Sequence, residues 1–146
     1  MLQRKNLRLC LICILLLHAT ASSSQSLTIC IKGIKNDKGV IRLGFYQNEQ
    51  EFRSDNPFRK ETLTKDAIYE NPLCVTYSDL KPGTYGIALL DDENENFQMD
   101  YKLLIPTEGF GFSGYTPKGL KRPNFDDFKF VFDQQEKSVY IRIKYY

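Results

Sequence analysis

The stretch "LTICIKGIKNDKGVIRLGF", residues 27–45, decides the fold. Leu27, Ile29 and Ile31 fall on one side of an extended segment, and Thr28, Cys30 and Lys32 fall on the other. A period of two with one apolar side is the pattern of a half-buried β-strand. Asn36-Asp37-Lys38-Gly39 then supplies turn residues, and the alternation resumes at Ile41, Leu43 and Phe45. The same pattern recurs at Leu73, Val75 and Tyr77, and at Tyr85, Ile87 and Leu89. It returns at Phe128, Phe130 and Phe132, and again at Val139, Ile141, Ile143 and Tyr145. Short alternating strands divided by Gly, Pro and Asn turns predict an all-β chain. The expected architecture is an antiparallel β-sandwich of about seven strands, immunoglobulin-like or prealbumin-like. The strands are short for an outer-membrane barrel, whose spans need roughly 9–11 residues.

Two stretches interrupt the alternation. Residues 47–66 are polar and charged, and predict a crossover loop with one short helical turn. Residues 106–125 carry glycine and proline throughout and predict a long loop, ordered by Phe110, Phe112 and Tyr115.

The chain begins with Arg4, Lys5 and Arg8, an apolar run from Leu9 to Leu17, and Ala19-Thr20-Ala21. A basic start, a short apolar core and a small-x-small ending are the parts of a secretory signal peptide, expected at residues 1–21. The run is far short of the roughly 20 residues that a membrane helix needs. Export to the periplasm or the extracellular space follows, with a single sandwich domain over 22–146 and no integral membrane segment once the leader is removed.

Removal of the leader changes the chemistry. It takes three of the 20 Lys and Arg and none of the 18 acids, so 17 cations face 18 acids beyond it. Nucleic-acid binding loses its electrostatic support. His18, the only histidine, is also lost, which excludes His-dependent nucleophilic catalysis and imidazole metal ligation. Cys30 and Cys74 remain. Both lie on the outward parity of their strands, so they can form a disulfide if those strands are neighbours and cannot otherwise.

Residues 79–127 supply a combined motif. It starts with Leu80, Pro82, Gly83 and Tyr85, then runs through Asp92, Glu93, Asn94, Asn96 and Asp100. Ile105, Pro106, Glu108, Gly109, Gly111, Phe112 and Ser113 follow, and Pro123, Phe125 and Asp127 close it. In this motif the chain resembles the exported bacterial proteins of domain-of-unknown-function family 2141. The resemblance implies a β-sandwich and leaves the biochemical function open. This chain departs from the family pattern in three places: Asp91 stands where the family usually has His, and Glu95 and Phe97 replace glycines on either side of Asn96.

Three constellations could carry chemistry. In the first, Asp92, Asn94, Asn96 and Asp100 place oxygen side chains at alternate positions, as a calcium loop does. Position six of that loop is Phe97 where a turn glycine is expected, and position twelve is Leu103 where a bidentate glutamate is expected. The competing reading is an Asx-rich connection that bonds its own backbone. The second is "GFGFSG", residues 109–114, which matches a dinucleotide fingerprint in letters alone, because no βαβ unit surrounds it. The third is the aromatic loop 110–125, with Lys118, Lys121 and Arg122 beside its rings.

The expected product is a binding or scaffolding module, not a catalyst, with a rim loop whose oxygens suit weak calcium binding at Asp92, Asn94, Asn96 and Asp100. A glycan- or peptide-binding module using loop 110–125 is the first alternative. A metal- or carboxylate-dependent enzyme on the same rim is the second.

Overall fold

The computed structural model describes residues 25–65, 72–133 and 135–146; the leader expected at 1–21 lies outside them. Ten strands and two short helices are present among the described residues. The smaller sheet has the order β10-β1-β4, from β1 (Ser26–Lys32), β4 (Leu73–Tyr77) and β10 (Glu136–Arg142). The larger sheet runs β3-β2-β5-β8, from β2 (Val40–Tyr46), β3 (Arg59–Thr64), β5 (Gly83–Asp92) and β8 (Gly109–Phe112). Strand β9 (Lys129–Phe132) also pairs with β5, which is ten residues long and so carries two partners on one edge. Gly83–Gly86 faces β9, and Ala88–Asp91 faces β8. A separate hairpin joins β6 (Tyr101–Lys102) to β7 (Ile105–Pro106).

The core lies between the two sheets and is made by the alternating residues. Leu27, Ile29 and Ile31 of β1 meet Ile41, Leu43 and Phe45 of β2 and Tyr85, Ile87 and Leu89 of β5 in one buried cluster with Val139 and Ile141. The fold is therefore all-β and sandwich-like, and most of its pairs are antiparallel. The exception is β1 with β10, which run parallel from Ser26↔Glu136 to Lys32↔Arg142.

The run Phe128, Phe130, Phe132 does not lie in one strand. Phe128 ends helix α2 (Phe125–Phe128), and only Phe132 is fully buried between the sheets. Phe128 instead packs on the outer face of the larger sheet with Tyr46, Phe112, Phe125 and Phe52, the last from helix α1 (Glu49–Arg53). Asn48 caps α1 by accepting from the Glu51 N–H at 2.9 Å, and Glu51 accepts from the Gln47 N–H at 2.8 Å. This reciprocal cap explains the helical turn inside a polar segment. Gly86 makes room for the outer cluster, because a Cβ there would sit 2.6 Å from the Phe128 ring and 2.8 Å from that of Phe125.

Two loops expected from sequence contain strands. Arg59–Thr64 pairs with β2 at the sheet edge, where its polar residues face water. Gly109–Phe112 is β8, with Gly109 and Gly111 turned toward the other sheet. A Cβ at Gly111 would lie 2.6 Å from the Ile141 side chain, and one at Gly109 would lie 2.4 Å from the Tyr145 ring. These glycines let the sheets touch along one edge, where Phe110 and Lys144 exchange backbone hydrogen bonds of 3.0 and 2.8 Å.

Cys30 and Cys74 face each other in the β1–β4 register and form a disulfide. The bond closes a separation of 44 residues, and the chain-entropy relation gives about 4 kcal/mol for a loop of that length. Denaturation with and without reductant is expected to show a loss of that order. Free-thiol titration of unreduced, denatured protein should find neither cysteine reactive. Phe132→Ala should cost about 3–5 kcal/mol, while exposed Val131→Ala should stay within about 0.5 kcal/mol. Equal midpoints for these two variants would contradict the assigned core face.

Candidate functional site

Strand β5 ends in two acids that alternation sends to opposite sides. Both are fully buried. Asp91 points between the sheets, where its carboxylate meets the Lys65 ammonium and accepts a hydrogen bond from the Tyr145 hydroxyl. Lys65 itself is buried and also donates to the Lys38 carbonyl. Burial, reinforced by the Asp91 carboxylate, pushes the Tyr145 phenol well above its ordinary pKa. Three segments from different parts of the chain are thereby tied at one end of the core.

Asp92 points into the following loop. One carboxylate oxygen accepts from the Asn96 N–H at 3.1 Å, and the other accepts from the Phe97 N–H at 3.0 Å. The Asn94 side-chain oxygen also accepts from the Asn96 N–H at 3.0 Å, and that of Asn96 accepts from the Gln98 N–H at 3.0 Å. The two amide nitrogens both donate to Asp100, Asn94 at 2.6 Å and Asn96 at 2.9 and 3.1 Å. All four residues singled out from the sequence thus belong to one hydrogen-bonded loop.

Glu108 completes the loop from a distance. Its carboxylate accepts from the Glu93 N–H at 3.0 Å and from the Asp100 N–H at 3.3 Å, which fixes both ends. Burial raises its pKa above the ordinary glutamate value, against the lowering effect of those two N–H groups. The side chains of Asp92, Asn94, Asn96 and Asp100 are engaged with the loop's own backbone or with one another, and the Glu93 carboxylate accepts from the Asn36 amide at 3.1 Å. Among the described residues no group of three or more His, Cys, Asp or Glu is arranged to hold a metal ion.

The two positions flanking Asn96 hold positive φ, +59° at Glu95 and +70° at Phe97. Such angles suit glycine and strain other residues. Phe97 is exposed but lies under the Arg42 guanidinium, 4.2 Å from the ring centroid.

Beside this loop a groove of about 300 Å³ opens on the outer face of the larger sheet. Tyr46, Phe110 and Phe112 line it from the sheet, Leu104 from the β6–β7 hairpin, and Leu120 and Arg122 from the segment after β8. Phe112 and Phe125 are buried in the outer cluster, while Phe110 and Tyr115 are half-buried, so the aromatic segment serves both packing and surface. Ser113 has a purely internal role. Its hydroxyl accepts from the Ile87 N–H at 2.9 Å and donates to the Phe128 carbonyl at 2.7 Å, joining β5 to α2.

Residues 29–140 match the profile of a bacterial family described as uncharacterized protein conserved in bacteria, DUF2141. The chain belongs to the DUF2141 family. No curated protein and no solved structure matches it. For this DUF2141 protein, the positive φ at Glu95 and Phe97 accounts for glycine at those places in the family pattern. Asp91, in the usual histidine place, is the residue that Lys65 and Tyr145 bind.

Sequence reasoning found the loop but could not place the links that hold it. Glu108 lies sixteen positions after Asp92 and nothing local marks its partners. Lys65 and Tyr145 are recognisable only once the strands are placed.

Asp92→Ala would leave the Phe97 N–H without its acceptor and the Asn96 N–H with the Asn94 oxygen alone, at a cost of about 1–3 kcal/mol. Chemical denaturation should show that loss. Glu95→Gly should instead add up to about 1 kcal/mol by relieving the positive φ. Because the folded pKa of Glu108 is raised, its contribution to stability is present below the ordinary glutamate pKa and is lost as pH rises through the raised value. Stability curves from about pH 4 to 7 should therefore lose that slope in Glu108→Gln.

Proposed function

We propose that this DUF2141 protein is an exported, non-catalytic binding module whose working surface is the outer face of the larger sheet. The observation that carries the reading is the groove, an apolar concavity at the low end of the range for ligand sites and flanked by Asp55, Lys121 and Arg122. Its floor rests on rings locked in the outer cluster, so it is already formed without a ligand. Export is supported by the leader-like residues 1–21 and by the Cys30–Cys74 disulfide, which suits an oxidising compartment. A binding role is supported over catalysis by the state of Asp92, Asp100 and Glu108, whose carboxylates are occupied in holding the loop.

The predominantly apolar lining favours an extended peptide carrying a branched or aromatic side chain over a glycan, which needs more hydrogen-bonding partners. Fluorescence anisotropy with a panel of such peptides should give saturable binding. Phe110→Ala should weaken it about tenfold or more, as expected for an aromatic anchor at a binding surface. Absence of binding across the panel would overturn the peptide reading, and saturable binding on a glycan array would replace it with the glycan one. Turnover abolished by Asp92→Asn would restore the enzyme reading.

Calcium at Asp92, Asn94, Asn96 and Asp100 is a second reading, supported by the convergence of the Asn94 and Asn96 side chains on Asp100. The ion would have to displace both amides from that carboxylate, so the affinity expected is weak, roughly 0.1–1 mM. Calorimetry on chelator-stripped protein should show heat in that range, lost in Asp100→Ala. No heat at concentrations well above it would leave the loop purely structural.

A further inference from the structure

We propose that the tip of the β6–β7 hairpin, Leu103-Leu104, docks into the surface of an anionic lipid membrane. The inference goes beyond the groove's role as a binding site and stands whether or not the groove takes a peptide.

Lys102 pairs with Ile105, which leaves Leu103 and Leu104 as a two-residue hairpin loop. Both hold positive φ, +50° and +68°. That is the backbone of a type I′ turn, which Asn-Gly fills without strain and two leucines do not. Burial would be the ordinary reason to keep leucine under strain, yet Leu103 is 88% exposed and Leu104 is 87% exposed. The tip therefore destabilises the isolated fold twice, by its backbone and by apolar surface left in water. Such an outlier points to a role outside the fold. Tyr101 and Leu120, also exposed, line the same groove as Leu104, so the apolar surface continues from the tip onto its flank.

Charge identifies the partner. From Tyr101 to Asn124 the charged residues are Lys102, Lys118, Lys121, Arg122 and Glu108. The four cations are exposed, although the Arg122 guanidinium donates to the Phe52 carbonyl and lies over its ring, and the single acid is buried under the loop. None of these cations forms an ion pair among the described residues. Outside the segment, Glu95 and Asp100 precede it, Asp126 and Asp127 follow it, and Asp55 lines the same groove; Asp126 pairs with Lys129, and Asp127 accepts from the Asn124 N–H at 2.8 Å. Of these, Asp100 is held by two amides, and Asp55 accepts from the Tyr46 hydroxyl. An apolar hairpin tip, a tyrosine beside it, and Lys102 and Lys121 on its flanks match a bilayer surface. The leucines enter the acyl boundary, the ring sits at the headgroup level, and the lysines meet the lipid phosphates.

Vesicle sedimentation of the chain from Ser22 tests this, comparing phosphatidylcholine vesicles with vesicles containing phosphatidylglycerol. Binding is expected on the anionic vesicles, falling as salt rises. Leu103→Asn with Leu104→Gly converts the tip to the unstrained turn. This double variant should melt no lower than the parent and bind anionic vesicles at least tenfold more weakly. Lys118→Ala with Lys121→Ala should also weaken binding several-fold and flatten its salt dependence. Failure of the parent protein to bind anionic vesicles would overturn the proposal. So would equal binding by the Asn-Gly variant. If vesicles fail while peptides still bind the groove, the docking falls and the binding module stands.

Discussion

Two adjacent carboxylates leave water at the end of β5, and the rest of the rim follows from how each is neutralised. A buried charge without a partner is untenable in a small domain. Asp91 draws Lys65 from the end of β3 and Tyr145 from beyond β10, which fixes one end of the sandwich across both sheets. Asp92 gathers the backbone of residues 96 and 97, which bends the loop back on itself. Glu108 then holds the two ends of that loop together, and the hairpin that follows, between Asp100 and Glu108, is projected from that base. Strain at Glu95 and Phe97 persists because these bonds over-determine the path.

The larger sheet is covered on both sides by different means. Its inner face is packed by aliphatic residues of the smaller sheet, and its outer face by phenylalanines on two helices of five and four residues. Helices this short have little stability of their own. They are held by their rings and by bonds such as the Glu49 carboxylate to the Phe125 N–H, which ties α1 to α2. Where that cover ends, the groove begins.

The core was legible in the sequence because alternation is a direct record of which side of a strand is dry. Leu27, Ile29, Ile41, Phe45 and Ile87 follow it without exception. What escaped were elements whose identity depends on a neighbour. Strand β3 is polar because it is an edge, and pairing with β2 alone makes it a strand. Strand β8 shows glycine where a strand usually shows bulk, because the second sheet fills the space a side chain would take. Phe128 keeps the parity of the strand after it, yet it closes a helical turn and faces the opposite side. The loop acids were visible, but whether an oxygen is free or already bonded is a question of distance that residue order does not answer.

The parallel pairing of β1 with β10 has a consequence for the order in which the chain assembles. β1 is the middle strand of its sheet, but its two neighbours are made at very different times. Leu73–Tyr77 can zip onto it early, and the cysteines can then lock that hairpin-like pair. Its other edge stays open until Glu136–Arg142 has been made, so the core closes last along the contact of greatest sequence separation. Folds dominated by such distant contacts assemble slowly. If the chain is exported as proposed, late closure keeps the polypeptide pliable during transit and lets it set only on arrival.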